Sequence, residues 1–221
     1  MAAAPPSSGS VRILAYHGVS PLLLDEITIS KAQFAQQMNA LRKRGLKGVT
    51  LAEIAADLRR CGEWPRGKVA LTFDDGYRDC LEHAAPVLAQ HSFTATVFII
   101  EETLGGQRSV AHCHPKKEFL STSQIAEISR QGGEIGFHTL SHRRLPTLPA
   151  AEQRREIFES RERLQQRFGC MVESFCYPGG RWTESSMNEV KRAGYLQAVV
   201  TPRGFGTLKK NSWWSLPRAG I

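Results

Sequence analysis

Val69-Ala-Leu-Thr-Phe73 is an apolar run of strand length that ends directly in Asp74-Asp75-Gly76. Three other stretches repeat the arrangement. Arg12-Ile-Leu-Ala-Tyr16 leads into His17-Gly18, Glu134-Ile-Gly-Phe137 into His138-Thr-Leu-Ser-His142, and Ser174-Phe-Cys-Tyr177 into Pro178-Gly179-Gly180. In parallel α/β folds the C-terminal ends of the strands converge on one face, where sites are built. The pattern predicts that two carboxylates and three histidines meet around one cleft.

The rest of the chain fits that reading. Apolar runs at Val11–Tyr16, Lys68–Phe73, Ala95–Ile100, Glu134–Phe137, Ser174–Tyr177 and Leu196–Val200 are of strand length, with a last short one at Trp213–Leu216. Helical patterns with legible ends lie between them. Ser30 with Gln33 and Ser121 with Gln124 are capping boxes, and Thr50 with Glu53 opens a further helix to about Arg60. Asp79–Gln90 places Leu81, Ala84 and Leu88 on one face. Pro149 starts a long helix that Gly169 stops, and Thr183–Ala193 turns Met187 and Val190 inward. Alternating strand and helix over the whole length predicts a single α/β domain over 11–221 with about seven parallel strands, an open sheet or an incomplete barrel. Residues 1–10 read as a disordered lead.

Composition excludes several classes. At 221 residues, 41% hydrophobic and 23% charged, the chain is globular rather than disordered. No apolar run approaches the roughly 18–20 residues that cross a bilayer. The N-terminus lacks the basic start and apolar stretch of a secretory signal, which predicts a cytoplasmic protein; a leader upstream would instead mark it for export. Net charge is +8, yet the basic residues are dispersed. The densest stretch, Arg154 to Arg167, interleaves Glu156, Glu159 and Glu162, the pattern of a solvated helix face. That argues against nucleic acid and leaves attraction to an anionic glycan, phosphate or membrane surface. Cys61, Cys80, Cys113, Cys170 and Cys176 are scattered without a Cys-x-x-Cys pair, and read as free thiols in a reducing compartment. His112-Cys113-His114 has poor chelate spacing and reads as a surface loop, within a long connection over Glu101–Phe119.

The polar residues at the strand ends suggest metal chemistry. On a helical turn, His138 and His142 would place both imidazoles on one side, within reach of one ion. Two histidines, one carboxylate and an open position make the ligand set of a catalytic zinc or related ion. Asp75 or Asp74 would supply the carboxylate. The other would take a proton from water whose pKa the ion lowers.

Thr72-Phe-Asp-Asp-Gly-Tyr77, Ala95-Thr-Val-Phe-Ile99, Gly133-Glu-Ile-Gly-Phe-His138-Thr-Leu-Ser-His142 and Phe175-Cys-Tyr-Pro-Gly-Gly180 together resemble the polysaccharide deacetylases of carbohydrate esterase family 4, the NodB homology domain. The resemblance spans about residues 11–221. It implies a distorted, incomplete (β/α) barrel and metal-dependent hydrolysis of an N-acetyl group, in some members an O-acetyl or N-formyl group, on a sugar. By resemblance Asp74 is the general base and Asp75, His138 and His142 are the metal ligands. The ion is zinc, with cobalt or nickel as alternatives. Tyr177, Pro178 and Gly179 form the oxyanion and substrate-binding turn, with the N–H of Gly179 as donor.

This chain departs from the family pattern in three places. Cys176 stands where many members carry a base-orienting Arg, and Gly179 where they carry a Tyr. Arg218 stands where they carry the acid His, and the Asp-rich, Trp-bearing fourth motif is not visible around Leu196–Thr201. Tyr16-His17-Gly18 is similar to deacetylases of exported poly-N-acetylglucosamine, whose motif order is permuted. The resulting expectation is that His17 is the general acid and that Arg218 neighbours Asp74 in place of the missing Arg, since the first and last strands of a closed barrel are neighbours. Trp182, Trp213 and Trp214 are candidates for stacking on pyranose faces, although Trp213-Trp214 reads more simply as one core and one exposed residue. A glycan is the expected partner. A nucleotide- or lipid-linked sugar is the alternative, and a non-catalytic carbohydrate- or nucleic-acid-binding module a remote one.

Overall fold

Short runs rich in Val, Ile and Phe pair as strands because their branched and aromatic side chains pack on a pleated surface. In the computed structural model, which describes residues 13–105, 110, 113, 116–169, 171–201 and 212–221, eleven strands form. They are β1 (Ile13–Tyr16), β2 (Gly18–Val19), β3 (Thr28–Ile29), β4 (Lys47–Val49), β5 (Lys68–Phe73), β6 (Thr96–Ile99), β7 (Glu134–Phe137), β8 (Ser174–Cys176), β9 (Gln197–Val200), β10 (Leu216–Pro217) and β11 (Ala219–Gly220). Six helices accompany them: α1 (Lys31–Lys43), α2 (Leu51–Cys61), α3 (Ala85–Gln90), α4 (Thr122–Arg130), α5 (Ala150–Phe168) and α6 (Glu184–Arg192). The expected lead over residues 1–10, together with Val11, Arg12, His112, His114 and Cys170, lies outside the described residues. Among the described residues no helix is long and apolar enough to cross a membrane.

The main sheet runs β10-β9-β8-β7-β6-β5-β1-β11, with every pairing parallel, and β4 pairs with the lower half of β5. Its two ends belong to one stretch of chain. Leu216 and Pro217 pair with β9, and two residues later Ala219 and Gly220 pair with β1. Leu216–Gly220 therefore hands over from the last wall strand to the first, and the sheet becomes a nearly closed, distorted (β/α) barrel. The expected strand at Trp213–Leu216 begins three residues later than read, because a turn at Trp213–Trp214 precedes it.

Two apolar layers follow from strand alternation. Ile13, Val49, Ala70, Phe98, Cys176, Val199 and Leu216 come from seven different strands and form one cluster, which only the barrel lumen brings together. Their neighbours Leu71, Phe73, Val97, Ile135, Phe137, Phe175 and Ala198 face outward onto the helices. The lower lumen is plugged by α2, whose Leu51, Ile54, Ala55 and Leu58 recur at helical spacing and join the inner cluster. Its N-terminal donors are satisfied by the barrel itself. Leu51 N donates to Thr96 Oγ1 at 2.8 Å and Ala52 N to Glu134 Oε2 at 2.8 Å.

The helix ends largely follow their capping residues: Ser30, Thr50 and Ser121 cap as read, and Thr183, read as the first residue of its helix, is its N-cap. The expected helix Asp79–Gln90 differs. It opens as a π-turn over Cys80–Ala84, with Ala85 N donating to Cys80 O, before α3 continues. Pro86 is the physical reason, since it has no N–H to give to the turn below.

The lumen leaves Gly136 no room for a side chain: a Cβ there would stand 2.5 Å from Phe98 ring carbons and 3.2 Å from Ser174 O. Gly136→Ala should lower the unfolding free energy in urea by about 1–3 kcal/mol. An unchanged midpoint would show that the Phe98 ring moves aside without penalty.

Candidate active site and metal centre

Strand alternation selects what enters the mouth of the barrel. Ala70 faces the lumen, so Thr72 and Asp74 do too; Gly136 does, so His138 follows; Leu216 does, so Arg218 follows. The ladder continues one residue past each of these strands: Asp74 N donates to Tyr16 O at 2.9 Å, His138 N to Ile99 O at 2.9 Å and Arg218 N to Val200 O at 3.2 Å. Asp74, His138, Cys176 and Arg218 thus meet by parity, together with His17 just past β1.

Arg218 clamps Asp74. Its Nη1 donates to Asp74 Oδ1 and its Nη2 to Asp74 Oδ2, both at 2.7 Å. Nη1 also donates to Thr72 Oγ1 at 2.9 Å and Nη2 to Cys176 Sγ at 3.1 Å. Arg218 is 1% exposed and Asp74 2%, so the pair is shielded from water. Burial disfavours the Asp74 carboxylate, but the Arg218 charge and its hydrogen bonds outweigh burial and hold the pKa at about 2. Asp74 is therefore ionised throughout the neutral range. His17, half-buried, holds Nε2 3.8 Å from Asp74 Oδ2.

Asp75 breaks the alternation. Its φ of 69° and the 70° of Gly76 are left-handed, and they swing the second carboxylate away from the first. At Gly76 a Cβ would also meet Ile99 Cδ1 at 2.9 Å. Among the described residues Asp75 Oδ1, which is buried, has no hydrogen-bond partner; it lies 3.5 Å from His138 Nε2 and 3.3 Å from His142 Nε2. Those separations are longer than good hydrogen bonds. They match the spacing of about 3.4 Å between two ligands each about 2.1 Å from a tetrahedral ion. Burial opposes ionisation of Asp75, but the imidazoles of His138 and His142 beside it overcome burial and lower the pKa. Burial likewise disfavours the His138 imidazolium, yet Cys176 and Asp75 raise its pKa on balance. A divalent ion among these atoms would take the place of that proton. The donor set therefore fits a zinc-type ion.

Several contacts aim these ligands. His138 Nδ1 lies 2.8 Å from Cys176 O; donation there fixes the tautomer and leaves the Nε2 lone pair for the ion. The expected helical turn between the histidines does not form. Thr139 and His142 adopt φ of 68° and 59°, and this irregular loop still brings the rings to 4.7 Å. The loop is held from α5, where Glu156 accepts from Ser141 N at 2.9 Å and from Ser141 Oγ at 2.5 Å. Glu156 is 4% exposed, which corrects its reading as part of a solvated face. The signal was present: Gln153, Glu156, Ile157, Ser160 and Leu164 recur at helical spacing and form the buried stripe.

Other expected residues fall differently. Tyr177 is fully buried, its ring 5.0 Å from Phe175 and its hydroxyl donating to Trp214 O at 2.9 Å, so its side chain belongs to the core. Aromatic burial outweighs a place in the cleft, and only its backbone borders the turn. Pro178 is buried in that turn, where Gly179 takes φ 60°. Trp213 is buried with Arg59 stacked over it at 4.6 Å, and Trp214 is half-buried, donating from Nε1 to Tyr195 O at 2.9 Å; neither is a bare stacking platform. Cys61, Cys80, Cys113 and Cys176 are free thiols as expected, but two of them border the site. Cys176 touches the Asp74–Arg218 pair, and the Cys113 thiol lies within 4.8 Å of donor atoms of both Asp75 and His142. Cys113 is thus drawn inward from its reading as a surface loop. An apolar cavity of about 460 Å³ between α3 and α4 lies apart from these groups, lined by Leu88, Phe93, Val97 and Ile128.

The chain belongs to the polysaccharide deacetylase family, whose sequence model matches residues 62–198, more than half of its length. His17 and Arg218 lie outside the matched span. The chain is similar to YxkH of Bacillus subtilis, 29% identical over 192 residues that cover 87% of this chain and 64% of YxkH. It is also similar to a poly-β-1,6-N-acetyl-D-glucosamine N-deacetylase of Staphylococcus aureus, 25% identical over 200 residues that cover 86% of this chain and 67% of that protein. The chain thus spans about two thirds of the length of these relatives. The deacetylase PplD of Streptococcus pyogenes, solved in complex with acetate, shares the fold with a TM-score of 0.83 at 24% identity, covering 96% of this chain and 92% of that one.

Removing the guanidinium in Arg218→Met should lower stability by about 3–5 kcal/mol at neutral pH, because it leaves Asp74 buried and unpaired. In the unaltered protein the Asp74 pKa is depressed from 3.8 to about 2. Its contribution, about 2 kcal/mol, is full above pH ~4 and lost as the pH falls toward ~2. Denaturant titrations across that range should show the loss in the wild type and a smaller one in Arg218→Met. Equal acid slopes would assign acid sensitivity to other carboxylates.

Proposed function

We propose that the protein is a metal-dependent amidohydrolase that removes N-acetyl groups from a glycan containing N-acetylhexosamine. One observation carries the reading: a clamped carboxylate, Asp74, stands beside a second, Asp75, whose buried oxygen is unpartnered and flanked by two imidazole nitrogens. The name of the Staphylococcus aureus relative supports the sugar class.

Asp75 Oδ1 and the Nε2 atoms of His138 and His142 would hold the ion, zinc first, with cobalt or nickel as alternatives. When bound, such an ion supplies Lewis-acid polarisation of the acyl group and lowers the pKa of water. The alternative set of Asp74, His138 and Cys176 is also compact, but Arg218 already occupies both Asp74 oxygens and contacts the Cys176 sulfur. A cation placed there would face a fixed positive charge.

Asp74 receives the proton of the attacking water at a carboxylate oxygen. Arg218 keeps that carboxylate aimed and ionised, the role that Cys176 cannot fill at the position where many family members carry an arginine. The N–H of Gly179 is the donor to the acyl oxygen as it gains negative charge. Water oxygen bonds to the acyl carbon, the carbon–nitrogen bond breaks, and His17 gives the proton that lets the amine leave. An amine leaves only when protonated, so a histidine beside the base favours an amide over an ester substrate.

The test is acetate release from β-1,6-linked N-acetylglucosamine oligomers by zinc-loaded protein. Asp75→Ala should lose both metal and turnover, and Asp74→Asn should lower kcat by about 10²–10⁴-fold with metal retained. A chelator should abolish release and added zinc restore it. His17→Ala with turnover within a few-fold of wild type would remove His17 from the acid role, and release that survives Asp75→Ala would overturn the reading.

A further inference from the structure

We propose that Cys113 is a fourth protein ligand of the ion held by Asp75, His138 and His142, so that this chain carries a mixed Asp-His-His-Cys centre. The inference rests on the metal reading above and adds to it a residue from the long connection between β6 and α4.

Three observations place the thiol there. The Cys113 sulfur, an Asp75 carboxylate oxygen and a His142 ring nitrogen all lie within 4.8 Å of one another. Independently, Asp75 Oδ1 is buried with no hydrogen-bond partner among the described residues, so this oxygen of the carboxylate can take a cation. Tyr77, stacked on Phe119 at 5.4 Å, interacts with both the Cys113 thiol and the Asp75 carboxylate and spans the two.

The two cysteines at the site differ in what faces them. Cys176 sits 3.1 Å from the Arg218 guanidinium, which opposes a cation. Cys113 groups instead with Asp75 and His142. A zinc–sulfur bond of about 2.3 Å and a zinc–nitrogen bond of about 2.1 Å would set the two donors about 3.6 Å apart at a tetrahedral ion, so from within 4.8 Å the thiol has no more than about an ångström to close. On coordination the thiol gives up its proton to solvent and binds as thiolate.

The consequence is functional. Three protein ligands leave a catalytic ion one position for the reaction, and a fourth fills it. Bound in this way, Cys113 would restrict the access of water and substrate to the ion. The soft sulfur also biases the site toward zinc or cobalt and away from magnesium.

Cobalt reports the thiolate directly. Metal-free full-length protein is loaded with one equivalent of Co²⁺ and its near-ultraviolet absorption recorded. A sulfur-to-cobalt charge-transfer band is expected in the wild type and in Cys176→Ser, and not in Cys113→Ser. Zinc should bind Cys113→Ser at least about tenfold more weakly, and zinc should protect one more thiol from a thiol reagent in the wild type than in that variant. Cobalt bound with no charge-transfer band in the wild type, or a band that persists in Cys113→Ser, overturns the Cys113 assignment alone. Protein that binds no cobalt overturns the metal reading with it. Because a wild type without the band overturns the assignment by itself, a misfolded variant does not rescue the proposal.

Discussion

The two-pronged contact between Arg218 and Asp74 ties the site to the closure of the barrel. Arg218 sits where Leu216–Gly220 changes partners from β9 to β1, and Asp74 sits at the end of β5, the neighbour of β1. With both groups out of water, neither tolerates the loss of the other. The same contact therefore joins the ends of the wall, keeps a buried carboxylate ionised and aims it into the mouth.

Around that pair, the two aspartates are separated in role by one backbone turn. Asp74 continues the strand and meets Arg218. Asp75, in the left-handed region with Gly76 behind it, leaves the strand and meets two imidazoles. Adjacent carboxylates thus acquire different partners, one a fixed cation and the other a donor set suited to a metal. The histidine loop is irregular and holds its shape through contacts from elsewhere. Glu156 grips Ser141, and the carbonyls of Thr139 and Leu140 accept from Glu101 and Glu102.

Much of this was legible because it is local. Ser30, Thr50, Ser121 and Thr183 announce their helices through side chain to backbone hydrogen bonds three residues away, which depend on nothing distant. The strands β5 and β7 kept their expected bounds, since each is a buried parallel strand with a continuous apolar run. What stayed hidden depends on contacts far along the chain. β4 is three residues long and exists because β5 offers it an edge. The plug formed by α2 depends on Thr96 and Glu134 reaching its N-terminus. Cys113 and Glu156 look like loop and surface residues until the strands around them are in place.

The sequence by itself determined the parallel α/β class, the strands that end in chemistry, and the donor types in the mouth, because periodicity and strand-end position are properties of short windows. It also marked Arg218 as the candidate to replace a missing arginine. Only the tertiary structure decided which donors stand next to one another, that Tyr177 turns its ring into the core, and that Cys113 comes within 4.8 Å of Asp75. Those outcomes rest on distances between residues tens of positions apart, which are set when the sheet curls and its two ends meet at Arg218.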